Sequence, residues 1–388
     1  MMEQEEKHNI SKPRSNRKPG RSLTVGVMFF TAILLLCLVL LFWVSRRIDS
    51  LSGADTQIKL SGQGGFSCEY SEAQKLYPFG EGVLKVTNER ISYLTLSGNE
   101  VYSADISYQN PQCVSYGVYS AVFDLNGYSF SVLTQDKLLF TVPTENQVKA
   151  VTISSTGLTA VITDNGDSYG DVILYDTAGN MISDWSSYNS GYPICCSFND
   201  SSDELAISTL NTSGAVLVPY IRLFSITSAD DGVHVADKSI YTTEDSTLFS
   251  SMYYCNNKLY CFTANSVYQI ENDSLSQINF DFSAISHVDK VGNRLFIAYS
   301  DGVSQLNKLA VIDSSNTVLY NSDIGSVINA VSVTGDTYAI SVDKRVFIYN
   351  SNGTVTNDFS VDEDIIRMNF ISGNKLCVVS TGGVHTLN

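Results

Sequence analysis

Two patterns of apolar and polar residues divide this chain. The 22 residues from Leu23 to Val44 carry neither charge nor proline. A helix of that length spans roughly 33 Å, enough to cross a hydrocarbon core of about 30 Å. Beyond it, short apolar segments alternate with polar positions and are interrupted by Gly, Asn and Asp, as in strands joined by tight turns. The pattern predicts one transmembrane helix followed by an all-β domain.

The strand-like segments recur with a period of about 40 residues, and a period of this length with four strands per repeat is the signature of a propeller blade. An Asn-x-Leu turn motif followed by an apolar residue returns as NNKLYCF, GNRLFIA and GNKLCVV. We therefore predict a β-propeller of about eight four-stranded blades, with seven blades, a β-helix or paired β-sandwiches as alternatives. The units lie at 75–107, 118–142, 148–185, 192–242, 251–270, 291–320, 331–359 and 368–387.

The two ends of the repeat region are complementary. The last unit stops after three strands, and an extra strand-like segment from Phe66 to Tyr70 precedes the first complete unit. A propeller ring closes when a strand from one end of the chain completes the blade at the other end, which removes exposed sheet edges. We therefore expect this segment to pair beside the segment from Val384 to Leu387.

Basic residues give the predicted membrane helix a direction. Six Lys and Arg residues precede it and only Arg46 and Arg47 follow directly, so the N-terminus is expected in the cytoplasm. A cleaved signal peptide is the alternative, although its apolar region usually spans about 7–15 residues. The predicted organisation is a disordered basic cytoplasmic tail at 1–22, a transmembrane helix at 23–44, a spacer at 45–65 and an extracytoplasmic propeller at 66–388. The predicted location is therefore the cell membrane, with a single pass.

The chain beyond the predicted helix is strongly acidic. Residues 1–47 hold 8 of the 24 basic and 3 of the 40 acidic residues, which leaves 16 basic and 37 acidic side chains after them. Nucleic-acid phosphates are bound by clustered Lys and Arg, so the composition argues against nucleic acid as a partner. Seven cysteines also lie beyond the helix without a C-x-x-C motif. We expect mostly buried thiols that pack as small apolar side chains, with one disulfide as the alternative.

No motif in the sequence indicates catalysis. The four His residues lack metal-ligand spacing, and neither H-E-x-x-H nor G-x-S-x-G occurs. The strongest candidate for a metal site is the turn DNGDSYGD, where Asp164, Asp167 and Asp171 offer oxygen ligands for Ca²⁺. It does not fit the EF-hand pattern, and a polar turn between two strands of one blade is the plainer interpretation. We predict no catalytic residues and no cofactor.

The central repeats carry a resemblance to a known family. The run QVKAVTISSTGLTAVITDNGDSYGDVILYDTAGNMISDWSS, with YSAVFDLNGYSFSVL before it, resembles an uncharacterised family of bacterial proteins. Members of that family have a short basic tail, one membrane helix and an external propeller related to WD40-like and quinoprotein-like repeats. The resemblance covers the predicted helix and propeller and is most specific over residues 118–210. It implies fold and location, and it brings no biochemical activity.

These features together predict a membrane-anchored propeller that acts as a non-catalytic binding or scaffold module. The expected partners are the lipid bilayer, through Leu23 to Val44, and a protein or cell-envelope ligand. The long segment from Leu210 to Thr242 is the predicted contact loop, because loops held on a rigid scaffold commonly carry binding. The alternative is a cell-envelope glycan-processing enzyme that uses carboxylates at the propeller channel.

Overall fold

A computed structural model describes residues 58–59, 64–71, 73–229, 232–243, 247–302, 308–335, 337–371 and 375–387. The chain divides into a unit Met1–Thr56 and a unit Gln57–Asn388, and every described residue belongs to the second. The predicted tail, membrane helix and most of the spacer therefore lie outside the described residues. None of the described residues belongs to a helix that is long and apolar enough to span a membrane.

The described residues form 33 strands in eight sheets. Two short strands come first, β1 (Ile58–Lys59) and β2 (Gly65–Ser67). The first four blades consist of β3 (Gln74–Phe79), β4 (Gly82–Thr87), β5 (Arg90–Thr95) and β6 (Glu100–Asp105); β7 (Pro111–Tyr116), β8 (Tyr119–Asp124), β9 (Ser129–Leu133) and β10 (Leu138–Pro143); β11 (Val148–Ile153), β12 (Thr159–Thr163), β13 (Asp171–Tyr175) and β14 (Met181–Ser186); and β15 (Tyr192–Phe198), β16 (Glu204–Asn211), β17 (Val218–Ala229) and β18 (Gly232–Thr242).

Blades 5 to 8 continue in the same chain order. They consist of β19 (Ser251–Cys255), β20 (Lys258–Phe262), β21 (Val267–Glu271) and β22 (Ser274–Ile278); β23 (Ala284–Val291), β24 (Arg294–Ser300), β25 (Lys308–Asp313) and β26 (Val318–Asp323); β27 (Ile328–Thr334), β28 (Thr337–Val342), β29 (Arg345–Tyr349) and β30 (Val355–Ser360); and β31 (Ile365–Ile371), β32 (Lys375–Ser380) and β33 (Gly383–Leu387).

From β3 to β33 the neighbouring strands of each blade are antiparallel and follow chain order outward from the centre of the ring, while β1 and β2 join the outer edges of blades 7 and 8. First strands of successive blades contact each other, as β15 with β19 and β27 with β31, so they line the central channel. The middle strands are buried on both faces, and β8 and β12 read accordingly as nearly continuous apolar runs. Last strands such as β6 and β26 form the partly exposed rim.

The two ends of the ring carry different connections. Loops that join successive blades, such as 187–191, share one end with the turns between second and third strands, and we call this the crossover end. Turns between first and second strands, such as 199–203, lie at the opposite end, which we call the hairpin end. This division follows from the antiparallel strand order.

A hydrophobic cluster fills each of the eight interfaces between neighbouring blades. Leu84 of blade 1 packs in one cluster with Val122 of blade 2, and Leu76 of blade 1 shares another with Val379 of blade 8. The ring therefore has no open side. The prediction of eight four-stranded blades is confirmed, and the seven-bladed, β-helix and sandwich alternatives are wrong.

The predicted ring closure is also confirmed. Strand β2 pairs antiparallel with β33, with Phe66 opposite Val384, and so supplies the fourth strand of blade 8. Cys68 N–H continues the ladder by donating to the Gly382 carbonyl at 3.0 Å. Gly65 is required here, because its φ is +121° and a Cβ would lie 2.0 Å from the Val384 carbonyl oxygen.

The segment before β2 adds a further strand that the sequence pattern does not predict. Strand β1 pairs in parallel with β30, with Ile58 opposite Phe359, and makes blade 7 five-stranded. Strands β1 and β2, in segments predicted as the end of a spacer and the start of the propeller, thus belong to two neighbouring blades. Strand β1 covers part of an edge that would otherwise be open to strand pairing.

Candidate functional site

The three carboxylates of the predicted calcium turn do not converge on a common point. The turn joins β12 to β13, and Asp164 Oδ2 lies 3.0 Å from Lys149 Nζ. Asp167 is exposed, and its N–H donates to Asn165 Oδ1 at 2.9 Å. Among the residues that the structure describes, no three His, Cys, Asp or Glu side chains are placed to hold a metal ion. The three candidate carboxylates therefore do not form a common ligand set in the described part of the chain.

Asp171, the third of these carboxylates, is a structural residue of the turn. It is buried, and its carboxylate accepts hydrogen bonds from Asn165 Nδ2 at 2.8 Å and from Ser168 Oγ at 3.2 Å. A buried carboxylate is stable only when such donors replace its hydration. The alternative interpretation of this stretch, a polar turn within one blade, is confirmed.

This turn belongs to a group of three loops at the crossover end of blades 3 and 4. The loops are 164–170, 187–191 and 212–217. Tyr169 N–H donates to the Ser187 carbonyl and Ser187 N–H donates to the Gly170 carbonyl, both at 2.9 Å. Asn211 Nδ2, at the base of the third loop, donates to the Asn189 carbonyl at 2.8 Å. The three loops are thereby fixed to one another.

Buried side chains fix the middle loop from below. Thr209 Oγ1 donates to the Ser190 carbonyl at 2.7 Å, and Ser187 Oγ donates to the Gly191 carbonyl at 2.6 Å. Arg222 Nε donates to Ser190 Oγ at 2.9 Å. Thr209, Ser187 and Ser190 are all at most 5% exposed, so these bonds are shielded from competing water. The loop is held in one conformation before any ligand arrives.

These fixed loops present aromatic and apolar side chains to solvent. Tyr188 is 62% exposed, Tyr192 50%, Val216 58% and Leu217 43%. The Tyr169 and Tyr192 rings pack edge to face with centroids 5.0 Å apart. We name Tyr169, Tyr188, Tyr192, Val216 and Leu217 the tyrosine patch. Apolar groups grouped on a solvent-facing surface are typical of interaction sites, and Tyr is enriched among the residues that dominate binding energy.

The prediction of a contact loop from Leu210 to Thr242 is wrong for most of its length. Residues 218–229 and 232–242 form β17 and β18, a hairpin of 12- and 11-residue strands that is longer than the outer hairpins of the other blades. Only residues 212–217 are a loop, and they carry Val216 and Leu217 of the tyrosine patch. Alternate residues of β17 are buried, which is the period of a strand. The prediction of a loop considered only the length of the segment and missed this period.

The long hairpin borders a groove between the outer strands of blades 3 and 4. The groove has a volume of about 160 Å³ and is lined by Trp185, Phe224 and Asp237 among others. The Arg222 guanidinium lies 5.4 Å from the Trp185 ring centre and 3.4 Å from Asp237 Oδ1. Because Arg222 also holds Ser190, the groove and the tyrosine patch share one positioning residue.

The channel wall is poor in carboxylates. The eight innermost strands, all of them described, carry a single one, Asp289 of β23. Burial raises the pKa of Asp289 to about 6, and Lys290 N–H donates to its Oδ1 at 2.8 Å. Glycoside hydrolysis usually requires two carboxyl groups facing each other across the substrate. The innermost strands therefore carry one carboxyl group where such a reaction usually requires two.

Side chains from three non-adjacent blades meet at the hairpin end of the channel. Asp200, in the β15–β16 turn, forms an ion pair with Lys290 of blade 6. It also accepts a hydrogen bond of 3.2 Å from the Tyr116 hydroxyl of blade 2. Contacts between non-adjacent blades must pass across the channel mouth, so this cluster narrows that end.

One grouping of Ser, His and Glu resembles hydrolase chemistry but has the wrong geometry. Ser380 Oγ lies 2.9 Å from His385 Nε2, and Glu363 Oε2 lies 3.8 Å from the same nitrogen. In a catalytic triad the acid and the nucleophile contact opposite ring nitrogens. Ser380 is also fully buried and bonded to Glu363. The group braces the β32–β33 turn beside the ring closure.

The prediction of mostly buried thiols is confirmed, since four of the seven described cysteines are buried and the other three are half-buried. Seven are free, and no disulfide joins them. Burial raises the pKa of the Cys195 and Cys377 thiols to about 12 in each case, and it raises the pKa of Cys113, Cys255 and Cys261 as well. These side chains act as small apolar groups in the blade interfaces.

The fold defines the class of this protein as an eight-bladed β-propeller. Residues 59–388 match a family of unknown function, DUF5711, and the chain belongs to that family. The predicted resemblance to an uncharacterised propeller family is thereby confirmed, whereas its membrane helix stays a prediction. No curated protein matches the chain.

Solved structures with the same architecture include two bacterial propellers. BamB from Moraxella catarrhalis is 12% identical, with a TM-score of 0.53, and the match covers 83% of this chain and 96% of that one. Apo AztD from Citrobacter koseri is 11% identical, with a TM-score of 0.55, covering 75% of this chain and 87% of that one. At such identities the likeness shows the fold alone.

Proposed function

We propose that this protein is a single-pass membrane protein whose propeller lies outside the cytoplasm and acts as a non-catalytic binding or scaffold module. The membrane part of the proposal is supported by the uncharged segment from Leu23 to Val44 and by the basic residues before it. The binding part rests on one observation, the tyrosine patch carried by hydrogen-bonded loops.

The physical case for binding at the tyrosine patch is its preorganisation. Ordering a mobile loop on binding costs about 0.5–1.5 kcal/mol for each immobilised side chain. The bonds from Thr209 and Arg222 to Ser190 remove much of that cost, because the loop is already held. The exposed rings of Tyr188 and Tyr192 then bury area at little entropic cost on contact with a partner.

The charge of the chain indicates the kind of partner. The residues after position 47 include 37 acidic and 16 basic side chains, so complementary potential favours a basic surface. We propose a protein ligand with an apolar centre and Lys or Arg at its rim. Nucleic acid and an anionic lipid surface are both disfavoured by the same charge.

A cell-envelope glycan-processing enzyme is the second candidate, and Asp289 is the observation that favours it. A carboxyl group with its pKa raised to about 6 is suited to act as a general acid near neutral pH. The single carboxylate on the innermost strands supports the non-catalytic proposal over this one. If the protein turned over a cell-wall glycan and a folded Asp289→Asn variant did not, the enzyme would be favoured over the non-catalytic binding module.

Site-specific photocrosslinking in intact cells tests the binding surface. A photoreactive residue replaces Tyr188, and in the control it replaces Tyr128, which is 55% exposed on blade 2 outside the patch. We expect a discrete protein adduct from position 188 that is lost with Tyr192→Ala and retained with Tyr128→Ala. Identical adducts from both positions, or none from position 188, would refute the tyrosine patch as the binding surface.

The membrane part needs a separate test. Protease added to intact cells is expected to cleave the propeller region and leave the first 22 residues protected, and alkaline carbonate should fail to extract the chain from membranes. Cleavage only after lysis, or release by carbonate, would contradict the proposed anchor and leave the crosslinking result to be interpreted independently.

A further inference from the structure

Arg367 differs from three other arginines of the propeller in having no ion pair among the described residues. Arg90, Arg222 and Arg345 each have a carboxylate partner, at distances up to 3.4 Å. Arg367, on the innermost strand β31, has none within 4.0 Å among the described residues, although acidic side chains outnumber basic ones in this domain. Its one hydrogen bond to a described residue runs from Nη1 to the Tyr70 hydroxyl at 3.0 Å.

The guanidinium is instead held between aromatic rings. Its Cζ lies 4.3 Å from the centre of the Tyr77 ring and 5.7 Å from that of Tyr70. The rings fix the plane of the group and compensate part of its charge. A guanidinium has five N–H donors, and the bond to Tyr70 uses one of them. Arg367 therefore presents a fixed cation with donors to spare.

A second group beside Arg367 lacks a partner. The Tyr77 hydroxyl is buried and makes no hydrogen bond, and the residue is 7% exposed. Burial raises the pKa of Tyr77, so its hydroxyl keeps its proton and acts as a donor. Buried hydroxyls almost always have a partner, and an orphan indicates a missing acceptor.

Lys75 supplies a second positive charge on the same side of the strand. It lies two residues before Tyr77 in β3, and alternate residues of a strand share a face. Its Nζ donates to the Pro111 carbonyl at 3.0 Å and has no carboxylate partner within 4.0 Å in the described part of the chain. Arg367 thus lies against the ring of Tyr77, whose hydroxyl has no partner, and Lys75 lies two residues away on the same face of the strand, toward the crossover end.

We propose that Arg367, the Tyr77 hydroxyl and Lys75 form a site for a small oxyanion, either a carboxylate or a phosphate group. A planar guanidinium binds two oxygens of either group side by side, and an ammonium adds charge without directional demand. The anion accepts from the spare Arg367 donors and from Tyr77, which pairs every orphan group of the cluster. This site is separate from the tyrosine patch and does not depend on the protein partner proposed there.

Thermal unfolding and calorimetry of the full-length protein test the site. Inorganic phosphate and glutarate are titrated separately, with sodium chloride at matched ionic strength as the reference. We expect saturable stabilisation by at least one anion, and which one acts distinguishes phosphate from carboxylate ligands. Arg367→Gln should weaken binding by about tenfold or more, and Tyr77→Phe, which keeps the ring, by about threefold to tenfold.

Arg345→Gln is the matched control, because Arg345 is half-exposed and pairs with Asp358 on the outer strands of blade 7. It should bind the anion as the wild type does. If Arg367→Gln fails to fold, Lys75→Gln and Tyr77→Phe carry the test. The proposal would be overturned if neither anion stabilised the protein beyond the chloride reference. It would also be overturned if an anion stabilised the wild type, Tyr77→Phe and Lys75→Gln equally.

Discussion

Asp200 and Lys290 form an ion pair between blades 4 and 6, although 90 residues separate them in sequence. The two side chains differ in environment: the Asp200 side chain is 45% exposed, whereas that of Lys290 is 11% exposed. Because the blades are not neighbours, the pair adds a link across the ring that no blade interface provides.

This asymmetry predicts unequal effects of removing either partner. Asp200→Asn leaves a largely buried ammonium without its counter-ion and should lower the free energy of unfolding by about 1–2 kcal/mol. Lys290→Met leaves a hydrated carboxylate and should cost less than about 1 kcal/mol. Equilibrium denaturation measures both, with Glu100→Gln in the exposed Arg90 pair as a control of small effect. A larger loss for Lys290→Met would contradict this reading.

The buried carboxyl of Asp289 predicts a specific pH dependence. Its pKa in the folded protein is about 6, against 3.8 for the ordinary group, so the folded state retains a proton that the unfolded chain loses first. The stability that this proton provides is complete below about pH 4 and is lost as the pH rises to about 6.

Asp289→Asn should flatten the stability profile between pH 4 and 6 and make the protein at most about 3 kcal/mol more stable at pH 7.5. Denaturation midpoints measured at several pH values check this. Asp167→Asn, at an exposed turn, should leave the profile of the wild type unchanged. An unaltered profile in Asp289→Asn would show that this carboxyl ionises normally in the folded protein.

Replacing Gly65 by Ala should weaken ring closure through a steric clash. The same substitution at a second glycine with positive φ but open space measures the cost of backbone strain alone. Gly65→Ala places a Cβ against the Val384 carbonyl, whereas at Gly232, whose φ of +132° is close to the +121° of Gly65, a Cβ meets nothing within 4 Å. Gly232→Ala should cost about 1–3 kcal/mol from strain alone. Gly65→Ala should cost about 1–3 kcal/mol more.

Hydrogen exchange distinguishes local opening from general weakening in these two variants. In Gly65→Ala, amides of β33 should exchange faster than those of blades 2 to 6, because β33 loses its outer partner. Gly232→Ala should leave the β33 amides as protected as in the wild type. Equal losses of stability in the two variants would exclude the clash as the cause.

Cys195 and Cys377 should resist alkylation while the ring is folded. The thiolate is the reactive species, and a pKa of about 12 at Cys195 and at Cys377 makes its population at pH 8 on the order of a thousandfold smaller than for an ordinary thiol. Mass spectrometry after iodoacetamide treatment, with and without urea, measures this. Labelling of Cys195 at the same rate in both conditions would refute its burial.

The sequence allows most of the ring to be predicted, because turn chemistry and strand pattern agree. The Asn126-Gly127 turn has the positive φ expected for Asn126 (63°), and the NNKLYCF motif places Asn256 and Asn257 in the same region of φ. The strand pattern fails at β7 and β22, whose sequences PQCVSY and SLSQI have few apolar residues because one faces the channel and the other the rim.

The candidate sites are harder to predict, since they depend on contacts between distant segments. Tyr188 and Tyr192 resemble the strand-forming tyrosines of the cores, and only the bonds from Thr209 and Arg222 to Ser190 show that the loop between them is fixed. Arg367 is unremarkable in sequence, because its unpaired state arises from packing against Tyr70 and Tyr77, nearly 300 residues earlier. The periodicity of apolar residues along the chain predicts local strands, and it does not predict which residues from distant segments come into contact.

The pairing of β2 with β33 also determines when the ring can close during synthesis of the chain. Ser67 and Gly382, which meet at the closure, are 315 residues apart. At roughly 5–20 residues per second, the first of these segments waits about 15–60 s for its partner to be synthesised. During that interval the growing ring is an open arc with unpaired strands at its ends. Chaperone binding and proteolytic loss should therefore concentrate on the nascent chain, before the last blade is complete.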